Sequence, residues 1–115
     1  MHSITIDRNN KPPLLLVGEV VGNASSKSSG SRKWTDVTIY LTQSKQLVGQ
    51  IDHRSTVSGD RPVFTKAERF TTGRALIDWL KEDNAGELGG VSNDALSQAA
   101  TRIQTIREAW VEIVK

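Results

Sequence analysis

The chain has 115 residues, of which 37% are hydrophobic and 24% are charged, and its net charge is +2. This length and composition are typical of one folded domain with its own core, and they argue against a disordered chain. The absence of cysteine excludes disulfides, thiolate metal sites and cysteine catalysis, and it favours a cytoplasmic protein. The longest apolar run, residues 14–17, is too short to span a membrane, and residues 1–10 lack the apolar stretch of a signal peptide. We therefore predict a single cytoplasmic domain over residues 1–115, without membrane contact.

Charge is unevenly distributed along the chain. Residues 1–33 carry five basic and two acidic side chains, whereas residues 71–115 carry five basic and seven acidic side chains. A basic N-terminal segment and an acidic C-terminal segment can orient a protein toward an anionic partner. Chance variation on a solvated surface gives the same pattern.

Strand patterns begin at the start of the chain. Residues 3–7 alternate polar and apolar, and residues 14–21 are rich in Leu and β-branched side chains. We expect the prolines at 12–13 to interrupt regular pairing and Gly18 to form a bulge. The serine-rich residues 22–33 have no side chain suited to a core, so they are predicted to form a mobile loop or hairpin tip.

The clearest strand is residues 34–42, where apolar side chains alternate with polar ones. Its apolar face consists of Val37, Ile39 and Leu41. A short turn leads to a returning strand over residues 46–53, which predicts a hairpin. Residues 62–70 favour an edge strand, since Pro62 is tolerated at an edge, with a helix as the alternative.

The last third of the chain has helical periodicity. Thr71 or Thr72 is a suitable N-cap for a first helix. Its predicted apolar face consists of Ala75, Leu76, Trp79 and Leu80. Ser92 or Asn93 is expected to cap a second helix. An apolar stripe from Leu96 to Ile113 predicts that this helix continues without interruption for about five turns.

The order of these elements indicates the fold class. Strands followed by helices are typical of α+β proteins, in which helices cover one face of an antiparallel sheet. The sequence therefore predicts an antiparallel β-meander of about four to five strands followed by two C-terminal helices packed on one face.

One group of residues could carry out chemistry. His53 is a candidate general base, with Asp36 or Asp52 to position its proton and Arg54 to hold an anion. Adjacent strand residues point to opposite faces, so the side chains of Asp52 and His53 are not expected to contact each other. The non-catalytic alternative is that these polar residues form the end of a strand that runs into a turn.

Metal and cofactor sites are not expected. The two histidines, His2 and His53, form no HxH or HxxxH pair, and no carboxylate cluster has ligand spacing. The serine-rich loop lacks the GxxxxGK[ST] pattern of a P-loop.

The same loop is a candidate nucleic-acid surface. Lys27, Arg32, Lys33 and Arg54 could contact phosphates, and Trp34 could act as a stacking platform. The alternative is a solvated hairpin tip with Trp34 in or near the core.

The final helix is a candidate interface. Its stripe can cover the sheet, but Ile106, Trp110 and Ile113 could instead pack against a second copy of the chain.

Residues 34–40 (WTDVTIY), followed by residues 51–55, resemble a strand pair in a group of small uncharacterised bacterial proteins. Those proteins share a Trp-x-x-hydrophobic-Thr-hydrophobic-Tyr strand and a returning strand that ends near Arg-Ser. The resemblance implies a bacterial or mobile-element origin, and no functional residue is transferred from it.

These patterns favour a non-catalytic binding or accessory module. Its partner would be another protein or a second copy of itself, with nucleic acid as a further ligand. The alternative is a small hydrolase- or nuclease-like enzyme that uses His53 with Asp36 or Asp52.

Overall fold

The structure, a computed structural model, describes residues 2–59 and 61–111. Within these ranges the chain forms five strands, which are β1 (His2–Arg8), β2 (Lys11–Ser25), β3 (Lys33–Thr42), β4 (Leu47–Ser55) and β5 (Phe64–Phe70). Three α-helices follow them, which are α1 (Gly73–Glu82), α2 (Gly90–Ala100) and α3 (Gln104–Val111). A short 3-10 helix, Thr56–Ser58, lies between β4 and β5. The predicted α+β class is confirmed, but the described chain has three α-helices where two were predicted.

The five strands form one antiparallel sheet in the order β1-β2-β3-β4-β5, which confirms the predicted meander. The long strand β2 pairs with β1 along its first half and with β3 along its second half. The sheet curls, so the turn after β1 reaches β5. There the amide of Thr65 donates to Asn9 Oδ1 at 2.7 Å, and the amide of Asn9 donates to the Thr65 carbonyl at 3.3 Å.

Three local predictions concern β2, and they have different outcomes. The register shift lies between Val20 and Gly22, not at Gly18, where a Cβ would stand 2.3 Å from the Leu41 carbonyl oxygen of β3. The prolines at 12–13 interrupt regular pairing as predicted: the β1–β2 register shifts between Ile6 and Arg8 and gives neither proline a partner, although both lie inside β2. The serine-rich segment is strand up to Ser25, where a loop was predicted, and residues 26–32 form the predicted hairpin tip between β2 and β3.

Buried side chains form two clusters. The smaller one consists of Ile6, Leu16, Tyr40, Val48 and Ala67. The larger one contains side chains of β2, β3 and β4 together with residues of all three helices. Val37 and Ile39 belong to the larger cluster while Tyr40 belongs to the smaller, which confirms the predicted alternation along β3. β5 confirms the edge-strand prediction for residues 62–70 over the helical alternative.

Helix α1 begins as predicted, because Thr72 Oγ1 accepts from the Ala75 amide at 3.2 Å. Its buried face differs from the prediction: Ile77 is fully buried, whereas Ala75 is exposed.

The predicted uninterrupted final helix was wrong. The chain leaves helical geometry at residues 101–103, and the N-cap of α2 is Gly89 rather than Ser92 or Asn93. At the break, Thr101 Oγ1 donates to the Gln98 carbonyl at 2.8 Å and so satisfies an end carbonyl of α2. Beyond the break, α3 approaches α1 closely, since a Cβ on Gly73 would stand 2.5 Å from the Thr105 carbonyl oxygen.

Candidate ligand-binding cleft

A cleft lies where β3 begins and β4 ends. The hairpin register pairs Lys33 with Ser55, Trp34 with Arg54 and Thr35 with His53, so two separately predicted groups of residues become neighbours. The cleft has a volume of about 360 Å³. Its walls are formed by Ser26, Lys33, Trp34, Thr35, His53, Arg54, Ser55 and Val63.

Exposed cations lie at this cleft and beside it, in the loop before β3 and at the first residue of β3. Lys27 Nζ lies 4.6 Å from the centroid of the Trp34 ring, within the range of a cation–π contact. Arg32 and Lys33 are exposed, and Trp34 is half-buried. Two hydrogen bonds hold the loop against β3: the Ser26 amide donates to the Thr35 carbonyl at 2.9 Å, and the Thr35 amide donates to Ser26 Oγ at 2.8 Å. The predicted binding residues therefore lie near the same end of the β3–β4 hairpin: Lys33, Trp34 and Arg54 line the cleft, Lys27 contacts the Trp34 ring, and Arg32 directly precedes Lys33.

Arg54 differs from the other cations because carboxylates offset its charge. Its Nε lies 2.7 Å from Asp36 Oδ2, and its Nη2 lies 3.7 Å from Asp52 Oδ2. Lys27, Arg32 and Lys33 are therefore the stronger candidates for contact with an external anion.

His53 contacts a carboxylate that sequence reasoning missed. Its Nε2 lies 3.5 Å from Asp83 Oδ1, and its Nδ1 lies 3.2 Å from Thr35 Oγ1. Lys66 Nζ also lies 3.2 Å from Asp83 Oδ1. Asp83 directly follows α1, and no local sequence pattern links it to His53.

Asp36 and Asp52, the carboxylates predicted to act with His53, contact Arg54 instead. Asp52 accepts from Thr65 Oγ1 at 2.7 Å and from Gln50 Nε2 at 3.0 Å. This network continues to Tyr40, whose hydroxyl donates to Gln50 Oε1 at 2.5 Å. Burial, with a smaller contribution from the charge of Asp52, raises the pKa of the Tyr40 hydroxyl.

The three predicted interface residues lie in different environments. Ile106 is fully buried in the larger cluster. Trp110 is half-buried against the same cluster, and its Nε1 donates to Asn93 Oδ1 at 3.3 Å. Ile113 lies outside the described residues. Association through this helix stays a prediction.

A second cavity of about 360 Å³ lies beside the turn between β3 and β4. Its walls include residues 14–17 of β2, Val48 and polar residues of the turn, and Arg69 is the charged residue among them. The cleft at Trp34 is the better candidate for an anionic ligand, because it combines cations with an aromatic ring.

Comparisons with known proteins give no match: no family model, curated protein or solved structure is similar to this chain. The resemblance to small bacterial proteins therefore stays a prediction. Among the described residues, no group of three or more His, Asp or Glu side chains could hold a metal ion. Within the same residues, no helix is long and apolar enough to cross a membrane.

Proposed function

We propose that the chain is a non-catalytic module that binds single-stranded nucleic acid in the cleft at Trp34. One observation carries this proposal. The β3–β4 register and the loop before β3 place an aromatic ring, three exposed cations and a ligand-sized cavity at the same end of the sheet.

This combination suits a single strand better than a duplex. An aromatic side chain stacks on a base only when the base is free of its neighbours, as in a single strand. Lys27 lies against the ring, and Arg32 and Lys33 directly precede it in the chain, so these cations can contact the phosphates next to a stacked base. A cavity of about 360 Å³ lies within the range of small-ligand sites, so it can hold one nucleobase.

Removing the Trp34 ring tests this proposal. Trp34→Ala is expected to weaken binding of a fluorescently labelled oligothymidylate by about 1–3 kcal/mol, or about 5- to 150-fold, because stacking on the ring is lost. Trp34→Phe keeps an aromatic face and should retain most of the affinity. Fluorescence anisotropy gives both dissociation constants. Equal affinities for the wild type and Trp34→Ala would show that no base stacks on the Trp34 ring, which would contradict the proposal.

A second candidate function follows from the contacts of His53. A hydroxyl, an imidazole and a carboxylate lie in series through Thr35, His53 and Asp83, an order that resembles a nucleophile, its base and the group that orients the base. The non-catalytic alternative is that the contact between Thr35 and His53 only stabilises the sheet, because the two residues are a cross-strand pair.

The hydrolase candidate predicts turnover that depends on His53. Hydrolysis of p-nitrophenyl phosphate and p-nitrophenyl acetate should be detectable for the wild type and should fall about 100-fold or more in His53→Ala, because the general base is lost. Thr35→Ser keeps a hydroxyl and serves as the control. No turnover by the wild type, or turnover unchanged in His53→Ala, would exclude this use of His53 for those substrates.

A further inference from the structure

The second cavity lies at the mouth of the curled sheet, beside the turn between β3 and β4. Its floor is apolar, because Leu16 and Val48 line it and both are buried in the smaller cluster. Leu14 also lines the cavity and packs against that cluster. The cleft at Trp34 lies at the opposite end of the β3–β4 hairpin and shares no wall residue with this cavity, so the two sites are separate.

Hydrogen bonds hold the turn that forms one wall of this cavity. Thr42 Oγ1 accepts from the Gln46 amide at 2.9 Å and lies 3.1 Å from Ser44 Oγ. The Gln43 amide donates to the Val17 carbonyl at 2.8 Å and so ties the turn to β2. The walls of the cavity are therefore fixed relative to each other, as expected of a largely preformed small-molecule site.

Two backbone amides of β2, those of Leu15 and Val17, point toward the cavity. The N–H and C=O groups of one strand residue point to the same side, and those of the next residue point to the other side. Because the Val17 carbonyl meets Gln43, the amides of Val17 and Leu15 point away from β1. Neither amide has an acceptor among the described residues, since β3 pairs with β2 only from Gly18 onward. These two edge amides can therefore donate to a ligand.

Arg69 supplies a positive charge at the same cavity. It pairs with Val48 in the β4–β5 register, so its side chain lies on the face of the sheet that carries the apolar floor. Within the described ranges, Arg69 forms no salt bridge and no Asp or Glu lines the cavity. A cation without a carboxylate partner, beside an apolar floor, favours a ligand with an apolar body and one negative charge.

From these features we infer that the second cavity binds an aliphatic carboxylate, with its chain on the apolar floor and its carboxylate on Arg69 and the edge amides. Arginine holds a carboxylate through two parallel hydrogen bonds. The volume of about 360 Å³ is about twelve times the roughly 30 Å³ that a water molecule occupies, so a medium-length chain such as octanoate fits. Burial of the chain supplies affinity, and the carboxylate supplies selectivity over uncharged analogues.

A titration of the ¹⁵N-labelled protein followed by ¹H–¹⁵N correlation NMR tests this inference. It compares octanoate with 1-octanol, which has the same chain without the charge. Octanoate should shift the amide signals of residues 14–17 and 42–48, which surround the cavity. It should bind about tenfold more tightly than 1-octanol, because charge-assisted hydrogen bonds are gained.

Three variants locate the charge that is responsible. Arg69→Gln should bind octanoate and 1-octanol equally and should stay folded, since Arg69 is exposed. Arg69→Lys keeps the charge and should retain part of the preference for octanoate. The matched control is Lys45→Asn, which removes an equal charge from the adjacent turn at a residue that does not line the cavity. Asparagine suits that position, because the φ of Lys45 is 68°. Lys45→Asn should keep the full preference.

Other outcomes overturn the inference. If millimolar octanoate leaves the signals of residues 14–17 and 42–48 unchanged, the cavity is not a binding site for it. Equal binding of octanoate and 1-octanol by the wild type would exclude recognition of the carboxylate, and a preference that Arg69→Gln retains would place that recognition elsewhere. If an acetylated tripeptide with an apolar C-terminal residue binds more tightly than octanoate, the ligand is a peptide end and the assignment to a small carboxylate is wrong. Each of these results leaves the proposed function of the cleft at Trp34 unaffected.

Discussion

The double substitution Arg32→Glu and Lys33→Glu is expected to weaken binding of a single-stranded oligonucleotide about 100-fold at low salt, because it removes two phosphate contacts and adds two repulsive charges. Both side chains are exposed, so the fold should be retained. Anisotropy titrations at low and high salt measure the loss, which should shrink as salt screens the charges.

The control for this prediction is the pair Lys45→Glu and Arg69→Glu. It changes the net charge by the same amount, and both residues are exposed at the other end of the β3–β4 hairpin. This pair should bind nearly as well as the wild type. If the two double variants lose the same affinity, binding depends on overall charge and not on the cleft.

Ile106→Ala is expected to lower the free energy of unfolding by about 2–5 kcal/mol, because a fully buried side chain leaves a cavity. Urea denaturation measures this change. Glu108→Ala is the control on the same helix, since Glu108 is exposed and its loss should change stability by about 0.5 kcal/mol or less.

The same variants separate a core role from an interface role. If the sequence-based interface at Ile106 existed, Ile106→Ala would dissociate a dimer and leave the monomer stable. Size-exclusion chromatography with light scattering reports the oligomeric state. We expect it to be identical in the wild type, Ile106→Ala and Glu108→Ala.

The strands of the sheet were predictable because the side chains of a strand alternate between two faces, and this alternation is visible in the sequence. Val37, Ile39 and Tyr40 alternate between two hydrophobic clusters, and hairpin turns fix which strands are neighbours. The position of the register shift in β2 was not predictable, since Gly18 and Gly22 are both plausible bulge positions and tertiary packing decides between them.

The break between α2 and α3 was not predictable, because apolar residues spaced three and four apart fit one long helix and two short helices equally well. Ala99 before the break, Ile103 within it and Ile106 beyond it all belong to the larger cluster. Thr101 was a local signal, since threonine competes for backbone carbonyls near helix ends.

The candidate site was predictable where it depends on the hairpin. Once residues 34–42 pair with residues 46–53, the basic loop and Trp34 must lie near His53 and Arg54. Asp83 joins this surface through the fold of distant segments, and no local pattern in the sequence records that contact.

The salt dependence of binding tests the proposed function most directly. The three exposed cations Lys27, Arg32 and Lys33 predict that log K for a single strand falls with log salt concentration with a slope of about −2, since each neutralised phosphate of a single strand contributes about −0.7. The Arg32→Glu and Lys33→Glu variant should bind with a slope near zero at the concentrations where binding is still measurable. An absence of binding by the wild type at low salt, or a slope that the double variant does not change, would contradict nucleic-acid binding at the cleft.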